Sequence, residues 1–287
     1  MNITATMVKE LRDKTGAGMM AAKKALVEVD GDMEKAMEVL RQKGIASAEK
    51  KMGRIAAEGR VASYVDETCG AMIELNCETD FVAKNAEFIE LANGLAEMVA
   101  KSNPTDVAAL EALNCPKCGK PISEVLKEKI ASIGEKITIR RFVRYEGNVA
   151  TYIHNGKIGV LLETSAKNEE ISKDICLHIA SSAPEFVSRN EIPASVIEEE
   201  KRIEMGKEDL AKKPEQIRAK IVEGRVNKLM AQKCLLEQPF VKNPEETIEQ
   251  LVSGKLEVVK FDRFVLGEGL EKRSDNFAEE VMGQLNG

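Results

Sequence analysis

The sequence contains no tryptophan, and aromatic residues make up only 4% of its 287 residues. Strands favour aromatic and β-branched residues, so this composition gives no bias toward a β-sandwich. Alanine is plentiful and there are 12 methionines, which favours helix-rich packing and adaptable methionine-lined surfaces. With 43% hydrophobic residues, a chain of this length predicts about two folded domains.

Long apolar runs and targeting signals are also missing. No run approaches the ~20 residues needed to cross a bilayer, and the start, Met1-Asn2-Ile3-Thr4, lacks the features of a secretory signal. The six cysteines are too widely spread to indicate a disulfide framework. We therefore expect a cytoplasmic protein in a reducing compartment, without contact to membranes.

Excess positive charge is absent, since the net charge is −6. No overall positive field draws the chain to nucleic acid or anionic membranes, so protein partners are expected. The basic pairs Lys50-Lys51 and Arg140-Arg141 lie among acidic residues and are interpreted as solvated faces.

Residues typical of catalysis are scarce. The chain has two histidines and no glycine-rich phosphate loop, paired-carboxylate motif or His-Glu zinc motif. His178 lies in an apolar helical pattern and is interpreted as a buried structural residue, whereas His154 is expected to be exposed near a turn. The sequence predicts no enzyme and no cofactor.

The segment Cys115-Pro116-Lys117-Cys118-Gly119 has the spacing of a zinc knuckle. A structural zinc site needs four ligands, and no second pair follows at a suitable distance. Cys115 and Cys118 are therefore weak metal candidates, possible only if a dimer completes the site. A thiol-based redox function and a plain solvent-facing loop remain open alternatives.

Residues 1–45 predict a compact module of three short helices. Thr4 caps the first helix, Asp32 caps the third, and Gly44 is expected to end the third. Residues 46–60, rich in lysine, alanine and glycine, are interpreted as a linker.

An internal repeat organises the centre of the chain. Val61-Ala62-Ser63-Tyr64-Val65 recurs as Val149-Ala150-Thr151-Tyr152-Ile153, and Arg141-Phe142-Val143 recurs as Arg263-Phe264-Val265. Between these strands, each copy predicts a second strand and a helix, placed at 79–101 in the first copy. The sequence therefore predicts an α+β fold with two core subdomains, 61–147 and 148–269.

The second copy is longer by 34 residues, which lie at about 188–233. Their spacing predicts a helical hairpin that bends at Lys212-Lys213-Pro214. Its apolar stripe looks too narrow for a separate core, so the hairpin is expected to fold back or to form a homodimer. Residues 270–287 predict a C-terminal helical module.

Phe81 follows a predicted buried strand, Ala71 to Leu75, and a helix N-cap at Thr79. Asp80 suits the positive end of the helix dipole. Periodicity alone places Phe81 in the core, one heptad before Phe88, because aromatic rings are usually buried.

Two segments carry a family resemblance: Leu11-Arg12-Asp13-Lys14-Thr15-Gly16-Ala17-Gly18-Met19-Met20 and Thr79-Asp80-Phe81-Val82-Ala83-Lys84-Asn85. They resemble bacterial translation elongation factor Ts, as do Ile133-Gly134-Glu135 and Gln238-Pro239-Phe240-Val241. The resemblance runs from end to end. It implies an N-terminal module like a ubiquitin-associated (UBA) domain, a two-subdomain core of antiparallel sheets with packed helices, an inserted dimerisation arm and a C-terminal helix.

The function implied by the resemblance is guanine-nucleotide exchange on elongation factor Tu during translation, without direct nucleic-acid binding. Thr79, Asp80, Phe81 and Val82 would displace the partner's Mg²⁺, so the resemblance predicts an exposed Phe81. The other implied partner contacts are Arg12, Met19, Met20, Ile133, Gly134, His154 and Val241. It gives Cys115 and Cys118 no role. The rival interpretation is a chaperone-like binding module, which would not require Phe81.

Overall fold

The computed structural model describes residues 3–211 and 213–271, with helices and strands that fall into two compact units. The first unit contains the described parts of 1–62, 73–142 and 265–287, and the second contains 63–72 and 143–264. The helices are α1 Ala5–Thr15, α2 Met19–Glu28, α3 Met33–Lys51, α4 Asp80–Ala83, α5 Ala86–Ser102, α6 Val107–Ala112, α7 Ile122–Ile133, α8 Glu169–Ser182, α9 Ala194–Met205, α10 Glu215–Lys233 and α11 Ile248–Val252. The strands are β1 Glu58–Val65, β2 Cys69–Cys77, β3 Thr138–Glu146, β4 Asn148–His154, β5 Ile158–Thr164, β6 Pro239–Phe240, β7 Asn243–Thr247 and β8 Val258–Val265.

The three predicted N-terminal helices are confirmed. The Thr4 hydroxyl accepts a hydrogen bond from the Met7 amide at 3.3 Å, and Gly16 ends α1 in the left-handed conformation. Helices α1 to α3 share one cluster of buried residues: Val8, Leu11, Ala22, Ala25, Leu26 and Ala36. The module therefore has an apolar core of its own.

The predicted end of the third helix at Gly44 is wrong, because α3 continues to Lys51 and takes up the start of the predicted linker. Gly44 does not end the helix but allows α3 and α7 to pack closely. A Cβ atom at this position would lie 3.0 Å from the Ala131 Cβ atom of α7. The absent side chain thus lets α3 and α7 approach each other, and Arg41 joins Glu124 across this contact at 2.7 Å.

The repeat is confirmed in the order of the strands. One three-stranded sheet has the order β1-β2-β3, and the other has the order β4-β5-β8. Strands β4 and β5 are antiparallel, with Tyr152 opposite Val160. Helix α8 packs on β4 and β5, and its Ile175 and Ile179 are fully buried. The α+β class is therefore confirmed.

Strand β2 carries a buried carboxylate, that of Glu74, which has no solvent exposure. Arg140 Nη1 lies 2.9 Å and Arg141 Nε 2.7 Å from its two oxygens, and the Gly267 amide donates to it at 2.9 Å. The interpretation of Arg140-Arg141 as a solvated face is therefore wrong. Both guanidinium groups neutralise Glu74, because a buried charge without a partner is costly.

The predicted helical hairpin is confirmed as α9 and α10, which pack against each other, with Pro214 immediately before α10. The expectation that it lacks a core is wrong. Its buried residues form a separate cluster of Ile192, Leu210, Val222, Val226, Met230 and Cys234. Ile203 and Ile217 remain exposed. Homodimer formation through this arm stays a prediction.

The C-terminal helix predicted within 270–287 lies almost entirely outside the described residues. The domain bounds taken from the repeat likewise stay a prediction. Among the described helices, none is long and apolar enough to span a membrane.

We expect Glu74→Gln to lower the free energy of unfolding by about 3 kcal/mol, because it removes the buried negative charge that two half-buried guanidinium groups contact. Urea unfolding followed by circular dichroism measures this change. Glu128→Gln is the matched control: it removes an exposed ion pair with Lys120, which contributes at most about 1 kcal/mol. Equal losses in the two variants would contradict the assignment.

The Glu74 network also predicts a pH dependence. Burial raises the pKa of Glu74, but the donors from Gly267, Arg140 and Arg141 outweigh burial and hold the pKa below its ordinary value of 4.5. The stabilisation is therefore complete above pH 4.5 and is lost as the pH falls through the folded-state pKa. The difference in unfolding free energy between wild type and Glu74→Gln should narrow in urea titrations below pH 4.5.

Candidate partner-binding surface

A sharp turn follows strand β2 and carries Phe81. Thr79 is the N-cap of α4, as predicted, and its hydroxyl accepts from the Val82 amide at 3.4 Å. The single helix predicted over 79–101 is wrong, because α4 ends at Ala83. Asn85 has extended backbone angles and caps a new helix, α5, by accepting from the Glu87 amide at 2.8 Å.

The phenyl ring of Phe81 is 81% exposed, whereas Phe88 is fully buried. The periodicity argument for a buried Phe81 is therefore wrong. Its assumption of one continuous helix fails, since the break at Asn85 means that positions 81 and 88 no longer share a helical face. The exposed ring makes Phe81 a candidate for contact with another molecule.

The backbone before Phe81 is held by the carboxylate of Glu135. Its Oε2 accepts from the amides of Glu78 and Thr79 at 3.1 and 3.0 Å, and its Oε1 accepts from the Thr79 hydroxyl at 2.6 Å. Hydrogen bonds to a charged acceptor are stronger than neutral ones. Glu135 therefore fixes the start of α4, and the sequence analysis gave it no role.

A second carboxylate strengthens the same turn. Glu78 Oε1 accepts from the Lys136 amide at 2.7 Å and lies 3.3 Å from Arg54 Nη1. Below the turn, burial raises the pKa of the Cys77 thiol to about 12, and this neutral thiol donates to the Thr79 carbonyl at 3.1 Å. Phe81 thus projects from a segment that is tied at several points.

Next to the ring, Asp80 pairs with Lys84 at 2.6 Å, and both side chains are largely exposed. Val82 is half-buried. The outer face of α4 therefore presents a carboxylate beside an aromatic ring, a combination suited to a partner with an apolar slot near positive charge.

Arg12, Met19 and Met20 lie on the surface of the N-terminal module. Met19 is 51% and Met20 64% exposed, although methionine side chains on a helix are more often buried. Gly18, in extended conformation, starts α2 just before them. Arg12 pairs only with its neighbour Asp13, at 2.9 Å, among the described residues.

Ile133 and Gly134 end helix α7 immediately before Glu135. Gly134 takes the left-handed conformation, with φ of 89°, and its amide donates to the Ile130 carbonyl at 3.0 Å. Glycine adopts this conformation without strain. The turn brings Glu135 to Thr79, so these two sets of predicted partner contacts are joined in the first unit.

His154 and Val241 belong to the second unit. His154 is exposed at the end of β4, as expected, with Tyr152 Oη 3.0 Å from its Nδ1 atom. Val241 is 44% exposed.

The buried His178 holds the Val241 turn. Its Nδ1 atom accepts from the Val241 amide at 3.2 Å, so Nε2 carries the proton and donates to Gln238 Oε1 at 2.8 Å. Burial lowers the pKa of His178, which keeps the ring neutral. The predicted structural role of His178 is confirmed.

The described residues offer no group of three or more histidine, cysteine, aspartate or glutamate side chains placed to hold a metal ion. Cys115 and Cys118 share a turn without a third ligand.

Comparisons with known proteins agree with the resemblance. A family model described as "Elongation factor TS" matches residues 78–268. Elongation factor Ts of Alkalilimnicola ehrlichii is 46% identical over 293 aligned residues, covering 100% of both chains. The proteins of that name from Burkholderia multivorans and Burkholderia thailandensis are each 50% identical over 286 residues, covering 99% of this chain and 97% of theirs. This chain therefore belongs to the elongation factor Ts family of translation elongation factors.

Proposed function

We propose that this protein is a guanine-nucleotide exchange factor for elongation factor Tu in the cytoplasm, and that it releases GDP without catalysing a chemical reaction. Family membership supports the partner. The observation that carries the mechanism is an 81% exposed phenyl ring on a turn fixed by Glu135. A surface ring held in this way is suited to enter a preformed apolar slot.

Exchange of this kind requires differential affinity. A protein accelerates loss of a nucleotide only by binding more tightly to the partner conformation in which that nucleotide is held weakly. The coupling is reciprocal, so GDP weakens the protein complex by the same factor by which the complex weakens GDP binding.

In this mechanism the α4 turn acts at the partner's Mg²⁺ and phosphate site. Phe81 enters the slot beside the metal, Asp80 acts with it, and Thr79 and Val82 support them from the helix start. Displacing the segment that supports Mg²⁺ removes charge compensation from the diphosphate, so its affinity falls. The remaining contacts are Arg12, Met19, Met20, Ile133 and Gly134 in the first unit and His154 and Val241 in the second.

The rival function, a binding module that leaves nucleotide untouched, is less well supported. Such a module would use the N-terminal helices and have no need of an exposed Phe81. The hydrogen bonds to Glu135 are a second argument against this rival function. Three hydrogen bonds fix the backbone beside a surface aromatic residue, which favours a function that depends on where that residue lies.

We expect Phe81→Ala to reduce acceleration of GDP release by about tenfold or more, because a buried aromatic anchor commonly contributes about 2 kcal/mol to a complex. The measurement is release of fluorescent GDP from Tu at several concentrations of the variant. The unfolding free energy should change by less than about 0.5 kcal/mol, since the ring is on the surface.

Val259→Ala is the matched control, because Val259 is an exposed apolar residue on β8. It should accelerate release as wild type does. If wild type leaves GDP release unchanged, the exchange function is rejected. If Phe81→Ala remains as active as wild type, the proposed role of Phe81 in displacing Mg²⁺ is rejected.

We also expect Glu135 to act as a positioning residue. Glu135→Gln loses the charge that holds the Glu78 and Thr79 amides, so the turn should loosen. Acceleration of GDP release should then fall by about threefold to tenfold. Amide hydrogen exchange at Thr79 should speed up in the isolated variant.

Glu128→Gln, in the exposed part of α7, is the control for Glu135→Gln and should leave both quantities unchanged. A Glu135→Gln variant with faster amide hydrogen exchange at Thr79 but wild-type GDP release would contradict the positioning role of Glu135. The hydrogen bonds to Glu135 would then serve only to stabilise the fold.

A further inference from the structure

Cys115 and Cys118 lie in a tight turn between α6 and α7. The Cys118 amide donates to the Cys115 carbonyl at 3.3 Å, and the Gly119 amide donates to the same oxygen at 2.8 Å. Such a four-residue turn brings its first and last Cα atoms within about 7 Å, and disulfides span about 4.4 to 6.8 Å between Cα atoms. The backbone therefore already holds the two cysteines at a separation close to that of a disulfide.

The turn is anchored at both ends. The Cys115 amide donates to the Lys120 carbonyl at 2.8 Å, and an antiparallel bridge joins Asn114 to Pro121. Lys117, between the two cysteines, reaches Glu90 of α5 at 2.5 Å. Gly119 has φ of 69°, a left-handed angle that glycine adopts without strain. These contacts hold the backbone of the turn and so keep the two cysteines close together in the folded protein.

Cys115 differs chemically from three of the buried cysteines. Burial raises the pKa of Cys115, but the nearby amides of Lys117 and Cys118 and the Cys118 thiol outweigh burial and hold the pKa below the ordinary value. Burial raises the pKa of Cys77 and Cys176 to about 12 and that of Cys234 as well. Cys115 is thus the cysteine whose surroundings favour the reactive thiolate.

Solvent exposure also distinguishes Cys115 and Cys118 from the other four cysteines. Cys118 is exposed and Cys115 half-buried, whereas the other four, Cys69, Cys77, Cys176 and Cys234, are buried. Small reagents in solution therefore reach only this pair in the folded chain.

We propose that Cys115 and Cys118 form a redox-active dithiol that low-molecular-weight disulfides, of which glutathione disulfide is the example, convert reversibly to an intramolecular disulfide. The Cys115 thiolate attacks one sulfur of glutathione disulfide, which forms a mixed disulfide and releases one glutathione thiolate. Cys118 then attacks Cys115 Sγ, which forms the internal bond and releases the second thiolate. Two protein thiols are oxidised, one glutathione disulfide is reduced, and both protons end on glutathione.

A zinc site is the less favoured assignment. Structural zinc takes four ligands, and the described residues add no third one beside the two sulfurs. Forming a disulfide needs only the two atoms that the turn already holds together.

The test uses the reduced full chain in glutathione buffers of increasing oxidised fraction. After acid quenching, free thiols are alkylated, and intact mass and peptide mapping give the state of each cysteine. We expect Cys115 and Cys118 to be lost together as an internal disulfide, and dithiothreitol to restore both. A chain that keeps both thiols in fully oxidised buffer, or stops at a glutathione adduct, would overturn the proposal.

Single variants identify the order of attack. Cys118→Ser should accumulate glutathione on Cys115, whereas Cys115→Ser should react at least tenfold more slowly. Equal rates in the two variants would overturn the assignment of Cys115 as the attacking thiol.

Two further measurements complete the test. The double variant Cys115→Ser/Cys118→Ser should remain unmodified, which shows that the buried cysteines do not contribute. Titration of the wild type with Zn²⁺ alone is the last arm. One tightly bound zinc per two chains, with both thiols protected, would replace the redox assignment with a metal site.

Discussion

The proposed binding surface depends on the hydrogen bonds that the Glu135 carboxylate accepts from Glu78 and Thr79. A phenyl ring exposed to water forgoes the hydrophobic free energy of burial, and a fixed backbone keeps the ring on the surface. Three hydrogen bonds from Glu78 and Thr79 to Glu135 provide that restraint. The same restraint lowers the conformational entropy that Phe81 would lose on binding, which raises affinity without adding a contact.

The turn restrained by Glu135 follows strand β2, which is itself firmly held. Strand β2 is buried along its whole length up to Cys77, and Glu74 in its middle is bound by Arg140 and Arg141 of β3. Removing both guanidinium groups would leave a buried charge uncompensated, so the network favours the arrangement of these strands that keeps the ion pairs. The turn that carries Phe81 begins four residues beyond Glu74 and therefore starts from a fixed point.

In the second unit an uncharged side chain, that of His178, fixes the backbone beside a surface residue. His178 joins the Val241 amide to Gln238, so an exposed valine is held by a buried ring. In both units, a surface residue implied by the family resemblance sits on a loop whose backbone is bound by a buried or half-buried side chain. Such side chains fix the backbone of the residues that we propose as partner contacts.

The sequence alone determined the elements that follow from local rules. The Thr79 cap, the succession of strands and helix in each repeat and the bend of the hairpin at Pro214 rest on capping, alternation and proline geometry, all of which act between near neighbours. Tertiary structure decided what depends on distant residues. Gly44 continues a helix because Ala131 packs against it, Arg140 and Arg141 turn inward because Glu74 is buried, and the Phe81 turn is fixed because Glu135 reaches it from 56 residues away. Periodicity carries no information about these contacts, since the partners are close only after the chain has folded.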